Sequence, residues 1–417
     1  MAGMASTFGL GVMLARLLGP ADYGTYGLVV ALAALAMTFA HLGTYQLAVR
    51  ELSVRSSRGD LAGARRMAVQ FLTVAGGASV LLGAASVLIA LAIFGPGSRE
   101  LAYAWLGALL VMFLTVSTLM AAELRGLGAL VKGQFFEFLG RPAIALAGVV
   151  VLLVIGVRLG AIGALWLQVG AAAIALLVSS VWLARALPKA CGDRPTKRDF
   201  SWLKAALPLG AVELLRQLDG TYAIVLVAAF SSADDVGIFR VAVACTPLLG
   251  MPGAMMHMVL APRIARLHAA GDRNELQRLL AETSALLVAI LLPVTILVAL
   301  FGRPLVGAVF GPAYVDAAAP LIVFTIAHTV FGFFGMGPVL LAMTDSERHL
   351  TKIYLGAVGL AVAASLPLII LLGTIGAALA QVVSFAVVGL FSWRYAKRAF
   401  GLEMTFLKRR QAAEKSS

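Results

Sequence analysis

The sequence predicts an all-α membrane protein: about twelve transmembrane helices in two parallel six-helix lobes around a central cavity. Three observations carry that prediction. Hydrophobic residues make up 61% of the 417-residue chain and charged residues only 13%, a balance foreign to a soluble protein of this size. Apolar runs long enough to cross about 30 Å of hydrocarbon recur from end to end. Fragments of the first half return, in register, in the second.

In chain order the runs fall at roughly 1–18, 25–49, 67–94, 101–122, 134–156 and 162–184, then 205–230, 236–262, 281–301, 317–343, 353–371 and 376–393. The first is short. It leads into LLGPADYG rather than a small-residue cleavage site, so it is expected to insert as a helix and not to be removed as a signal. No stretch outside the runs exceeds about 25 residues, which leaves no room for a soluble catalytic domain. The expected division is a lobe at 1–188, a basic linker at 189–204, a second lobe at 205–400 and a tail at 401–417.

Alternate connections differ sharply in charge. The segments 50–66, 123–133, 185–204, 263–280 and 344–352, with the tail from Arg394, hold 26 Lys and Arg; the opposite side has only Arg99, Arg158 and Arg303. Basic residues collect in cytoplasmic loops, so both termini are expected in the cytoplasm of a multi-pass inner or plasma membrane protein. The same rule accounts for the net charge of +13 without nucleic acid as a partner.

The repeat is read from several matches. Asp22, Gly24 and Arg50 recur as Asp235, Gly237 and Arg263, and GAIGALWLQV at 160–169 returns as GTIGAALAQV at 373–382. IFGPGSRELA at 93–102 resembles VFGPAYVDAA at 309–318, with a small slip in register. Six spans per half is an even number, so both halves enter from one side. They are then parallel repeats, with substrate expected between them near the midplane.

The seventh span, AALPLGAVELLRQLDGTYAIVLVAAF, carries Glu213, Arg216 and Asp219 near its middle, on one broad face. A charge there costs about 2.5–3.5 kcal/mol or more, so such residues face a bundle interior or a wet cavity. Arg16 lies near the outer end of the first span, where it lines a cavity mouth or snorkels to the interface. Glu137 and Arg141, four apart at the start of the fifth span, are expected to pair along the helix, with Glu123 and Arg125 at the preceding end. Arg240 is expected to reach the surface. His41, His257 and His328 fall in separate spans, each open to a packing or a proton-coupling role. Pro142, Pro208, Pro247, Pro252 and Pro293 can bend helices that must rock, though proline is frequent in membrane helices anyway. Cys191 and Cys245 form no motif, and no metal-ligand spacing appears. GxxxxGK[ST], HExxH and GxSxG are all absent, so no catalytic activity and no cofactor are expected.

LARLLGPADYGTYGLVVAL with the later YQLAVREL, and the second-half FSSADDVGIFRVAVA with PRIARLHAAGDRNELQRLL, resemble polysaccharide flippases of the multidrug/oligosaccharidyl-lipid/polysaccharide exporter superfamily. The resemblance runs from the first span to Trp393. It implies two six-helix lobes forming a cavity that opens alternately to each side. It also implies movement of polyprenyl-diphosphate-linked sugar repeat units to the outer leaflet, with membrane lipids and polysaccharide assembly proteins as partners. A diphosphate headgroup suits an arginine fork. Arg216 is the expected principal contact, Glu213 and Asp219 hold or release it, and Arg16, Glu137 and Arg141 are further candidates. A static ion network that fixes packing is the other reading of these charges. A drug or organic-cation exporter of the same superfamily would prefer a net acidic cavity. A membrane-embedded glycosyltransferase or polymerase would bring a larger outer loop than 302–316.

Overall fold

The computed structural model describes residues 2–187, 202–344 and 346–402; the expected linker and tail lie almost wholly outside them. The described residues are 91% helix, with no strand among them. Nine helical stretches among the described residues are long and apolar enough to cross a membrane. Their outward faces are apolar as well: Leu81 on the third helix is 72% exposed and Leu371 on the last 76%. A surface like that is stable against lipid and not against water.

The chain divides into two compact units, Met1–Thr221 and Tyr222–Ser417. The first holds α1 (Ala2–His41), α2 (Thr44–Ser57), α3 (Leu61–Phe94), α4 (Arg99–Gly126), α5 (Leu130–Gln134), a π-turn at Phe135–Gly140, α6 (Arg141–Val154), α7 (Ala161–Ala186) and the start of α8 (Leu203–Phe230). The second holds the end of α8, then α9 (Ala233–Ala269), α10 (Arg273–Phe310), a 3-10 turn at Pro312–Ala317, α11 (Ala318–Phe333), α12 (Gly337–Ala342) and α13 (Glu347–Phe400).

Two of these elements are double. α1 loses helical geometry at Gly19, directly before Pro20, and α13 loses it at Gly373 (φ 58°, ψ −132°). A side chain added at Gly376 would run into the Leu368 backbone. In a straight helix those residues would stand about 12 Å apart, so the chain turns back on itself here. Only glycine adopts the Gly373 conformation without strain. The breaks fall between the expected spans one and two, and eleven and twelve.

Within each unit one helix is the hub. α4 packs on α1, α2, α3, α5 and α7; α11 packs on α9, α10 and α13. The two occupy corresponding places in the sequence repeat. Turn chemistry repeats too. Gly59 and Gly271 take positive φ, and Asp60 and Asp272 then cap α3 and α10 by accepting from Gly63 and Glu275 N–H. The Gly63 N–H, helped by Arg55, holds the Asp60 carboxyl below its ordinary range. In the first unit Leu47, Leu52, Phe71 and Leu119 form a core with Trp202, whose ring meets Phe71 edge-on at 4.9 Å. In the second, Ile264, Leu280, Leu340 and Ala396 bring α9, α10, α12 and α13 together.

Helix ends depart from the sequence reading. Segments 50–66 and 263–280 are mostly helix, because α2 continues to Ser57 and α10 begins at Arg273. Backbone hydrogen bonding continues past the apolar run, and Arg58, Arg66, Arg263 and Arg266 there are exposed. The run 317–343 is two helices, since Gly335 takes positive φ and Pro338 can only open a new helix.

Candidate functional site

All six residues singled out as site candidates fall within the first unit. The polar groups that the structure assembles there lie on α1, α2, α4, the π-turn and α6. The centre is Glu137. Its Oε2 accepts from Arg125 Nη1 at 2.9 Å, and its Oε1 accepts from the Tyr45 hydroxyl at 2.9 Å. The Arg125 guanidinium also lies over the Tyr45 ring, 5.0 Å from its centroid, a cation–π contact that orders all three side chains. With 11% and 19% of their side chains exposed, Arg125 and Glu137 form a largely desolvated pair.

The expected helical pair of Glu137 with Arg141 does not form. Glu137 sits in the π-turn, where the extra residue per turn carries position i+4 away from position i. Arg125, one helix earlier, takes its place. Arg141 instead lines the same small void as Glu137, with Thr118, Ala121 and Ser179; its 10 Å³ holds about one water. Among the described residues Arg141 makes no ion pair.

His41, at the end of α1, extends the cluster. Its Nε2–H donates to the Thr115 carbonyl oxygen at 3.1 Å, Thr118 Oγ1 lies at 3.2 Å, and the ring stacks on Tyr45 at 5.7 Å. The next two residues are unusual: Leu42 and Gly43 both take positive φ, at 47° and 80°. The Gly43 backbone presses on α8 at Ala206 and Gly210, so closely that a side chain at 43 would overlap the Ala206 carbonyl. Close approach of this kind is what glycine permits between membrane helices. It brings Glu213, one turn beyond Gly210, into the neighbourhood of His41.

The other candidates are placed as follows. Arg16 is exposed on α1, just before the Gly19 break. Glu213 is half-buried on α8. The side chains of Arg216 and Asp219 lie outside the described residues, although their backbone belongs to α8. Glu123 is fully buried on α4, and neither carboxyl oxygen has a hydrogen-bond partner among the described residues. Tyr45 and Thr118 were missing from the candidates. Tyr45 could have been suspected: it opens YQLAVREL, a polar aromatic placed late in an apolar run. Thr118 carries no signal beyond its hydroxyl. Among the described residues no cluster of His, Cys, Asp and Glu suits a metal ion.

A family model described as "Polysaccharide biosynthesis protein" matches residues 2–268, and one described as "Lipid II flippase MurJ" matches residues 238–413. No curated protein matches the chain. Among solved structures, an inward-facing multidrug resistance MATE family transporter of the MOP superfamily aligns with TM-score 0.75 at 17% identity, over 96% of this chain and 95% of that one. The lipid II flippase MurJ in an inward closed conformation aligns with TM-score 0.62 at 13% identity, over 95% and 86%. A MOP superfamily transporter from Pyrococcus furiosus, described as having a binding pocket of reversed polarity, aligns with TM-score 0.58 at 16% identity, over 96% of this chain and 94% of that one. At these identities the structural likenesses speak to the fold alone.

Proposed function

Because the chain belongs to the polysaccharide biosynthesis protein family and is a membrane transporter, not an enzyme, we propose that it flips polyprenyl-diphosphate-linked oligosaccharide repeat units from the cytoplasmic to the outer leaflet. The observation that carries this reading is the second arginine at the void that Glu137 lines. Arg125 is matched by Glu137, while Arg141 borders the same void without an ion pair among the described residues. An anionic headgroup supplies what that arrangement lacks.

Twelve crossings in two parallel six-helix lobes, 1–188 and 205–400, belong to the proposal. The breaks at Gly19 and Gly373 support counting α1 and α13 as two crossings each, and α8 adds one more. The charge bias of the connections supports cytoplasmic termini in the cell membrane. Arg216 is the principal headgroup contact in this scheme. Glu213 and Asp219 hold or release it, and Arg16 stands at the cavity mouth. Glu213 beside His41 supports a link between α8 and the Glu137–Arg141 cluster. Membrane lipids surround the protein, and polysaccharide assembly proteins act on what it delivers.

The test is a strain lacking the protein. Lipid-linked repeat units should accumulate on the inner leaflet, and the wild type should clear them. Arg216→Ala, at equal membrane abundance, should not. Absence of accumulation together with new sensitivity to cationic dyes would instead mark a drug exporter of the same superfamily.

A further inference from the structure

The second unit contains a cavity of about 350 Å³, walled by α9, α10, α11, α12 and α13. Its size is that of a small-ligand pocket, and its wall is leucine, methionine and phenylalanine with no charged side chain. Packed interiors do not normally keep such a space open. Here Gly250 and Gly253 leave it unfilled. At Gly253 no atom stands within 4 Å of the place a Cβ would take.

The polar groups on the wall are His257, His328 and Tyr354. His328 Nδ1 lies 2.8 Å from the Phe324 carbonyl oxygen, which can only accept, so Nδ1 carries the proton. The ring meets Phe385 edge-on at 5.1 Å. With no Asp, Glu, Lys or Arg on its wall, the cavity offers little to a phosphate and too few hydrogen bonds to a sugar.

Its location limits the occupant further. The wall residues Ala254 and His257 are exposed, so the cavity opens along α9. From Ala254, α9 runs about 13 Å to Arg263; on α13 the wall residue Leu350 lies between Arg348 and Lys352. The cavity is thus about two turns from the basic end of its unit, the end that the charge rule puts in the cytoplasm. At that depth lie the hydrocarbon chains of the inner leaflet.

We infer that this cavity receives a segment of the substrate's polyprenyl chain while the charged headgroup is held elsewhere. The inference rests on the flippase reading, and it names the part of the substrate that the second unit binds. An apolar chain satisfies a wall without charge, arrives at the depth of the opening, and needs no partner for a headgroup there.

The experiment uses the full chain in phosphatidylcholine–phosphatidylglycerol vesicles and a polyprenyl diphosphate with a photoactivatable diazirine on its chain. The label should map to α9 and α11 around Gly253 and His328. It should fall to background in Gly253→Phe, which fills the space, and in Ala254→Trp, which blocks the exposed opening; Gly253→Ala should keep it. Thermal melting in the same vesicles verifies that each variant is folded, and two independent blocks guard against the loss of one. Label elsewhere, or label unchanged in both folded blocking variants, overturns the cavity assignment and leaves the flippase reading standing. Equal labelling by phosphatidylglycerol carrying the diazirine on its acyl chain makes this an ordinary phospholipid site and also overturns it. A wild type that takes no label from the polyprenyl diphosphate anywhere brings down the flippase reading itself.

Discussion

Arg125, Glu137 and Tyr45 are held together by two hydrogen bonds and a cation–π contact. A largely buried ion pair costs much more to break than it gains relative to an apolar replacement. Arg125→Ala leaves Glu137 with only the Tyr45 hydroxyl, and should cost about 3 kcal/mol of stability. Removing both charges together, as Arg125→Met with Glu137→Leu, should restore most of that loss. Thermal unfolding of the two single variants and the double variant in detergent checks it; strict additivity would show that the pair is not coupled. Glu123 presents the opposite case. Its carboxyl is buried without a partner for either oxygen among the described residues, so Glu123→Leu should raise stability by about 1–3 kcal/mol. If the same variant loses transport while gaining stability, Glu123 is retained for function.

At the scale of helices, glycine decides where the chain can turn and how closely two helices can meet. Gly373 has a backbone conformation that other residues reach only with strain. Gly373→Val should therefore prevent the reversal between the two halves of α13 and sharply lower the amount of folded protein in the membrane, read by fluorescence-detected size exclusion. Normal abundance and a normal elution profile would show that the turn tolerates a side chain. The π-turn at Phe135–Gly140 is the second such feature. It directs Glu137 at Arg125 on α4, and so leaves Arg141 outside the pair that the spacing suggests. Turns of this type occur often at functional sites.

At the scale of the whole molecule, the strongest commitment is the orientation of the chain in the membrane. A reporter fused after Phe94 should read as external, and one fused after Gly271 as cytoplasmic; the reverse pattern would overturn the proposed topology. Most of the secondary structure was legible beforehand, because in hydrocarbon every backbone polar group must be satisfied within the segment. Each apolar run had to be a helix whatever it packed against. The breaks before Pro20 and at Gly373 were legible for a similar reason, since both mark the ends of apolar runs. Partner choice was not legible. Glu137 bonding to Arg125 in place of Arg141, Tyr45 joining them, and His41 coming near Glu213 all depend on which helices meet and at what rotation, and a one-dimensional pattern does not encode that. Nor does sequence reveal the cavity of the second unit, whose walls come from five helices spread over more than a hundred residues. The sequence by itself determined a helical membrane protein with its charges concentrated in few spans, because burial in lipid is a local property of composition. Only the tertiary structure decided which charges neutralise one another, because pairing in a low-dielectric interior is set by distances of a few ångströms between residues far apart in the chain.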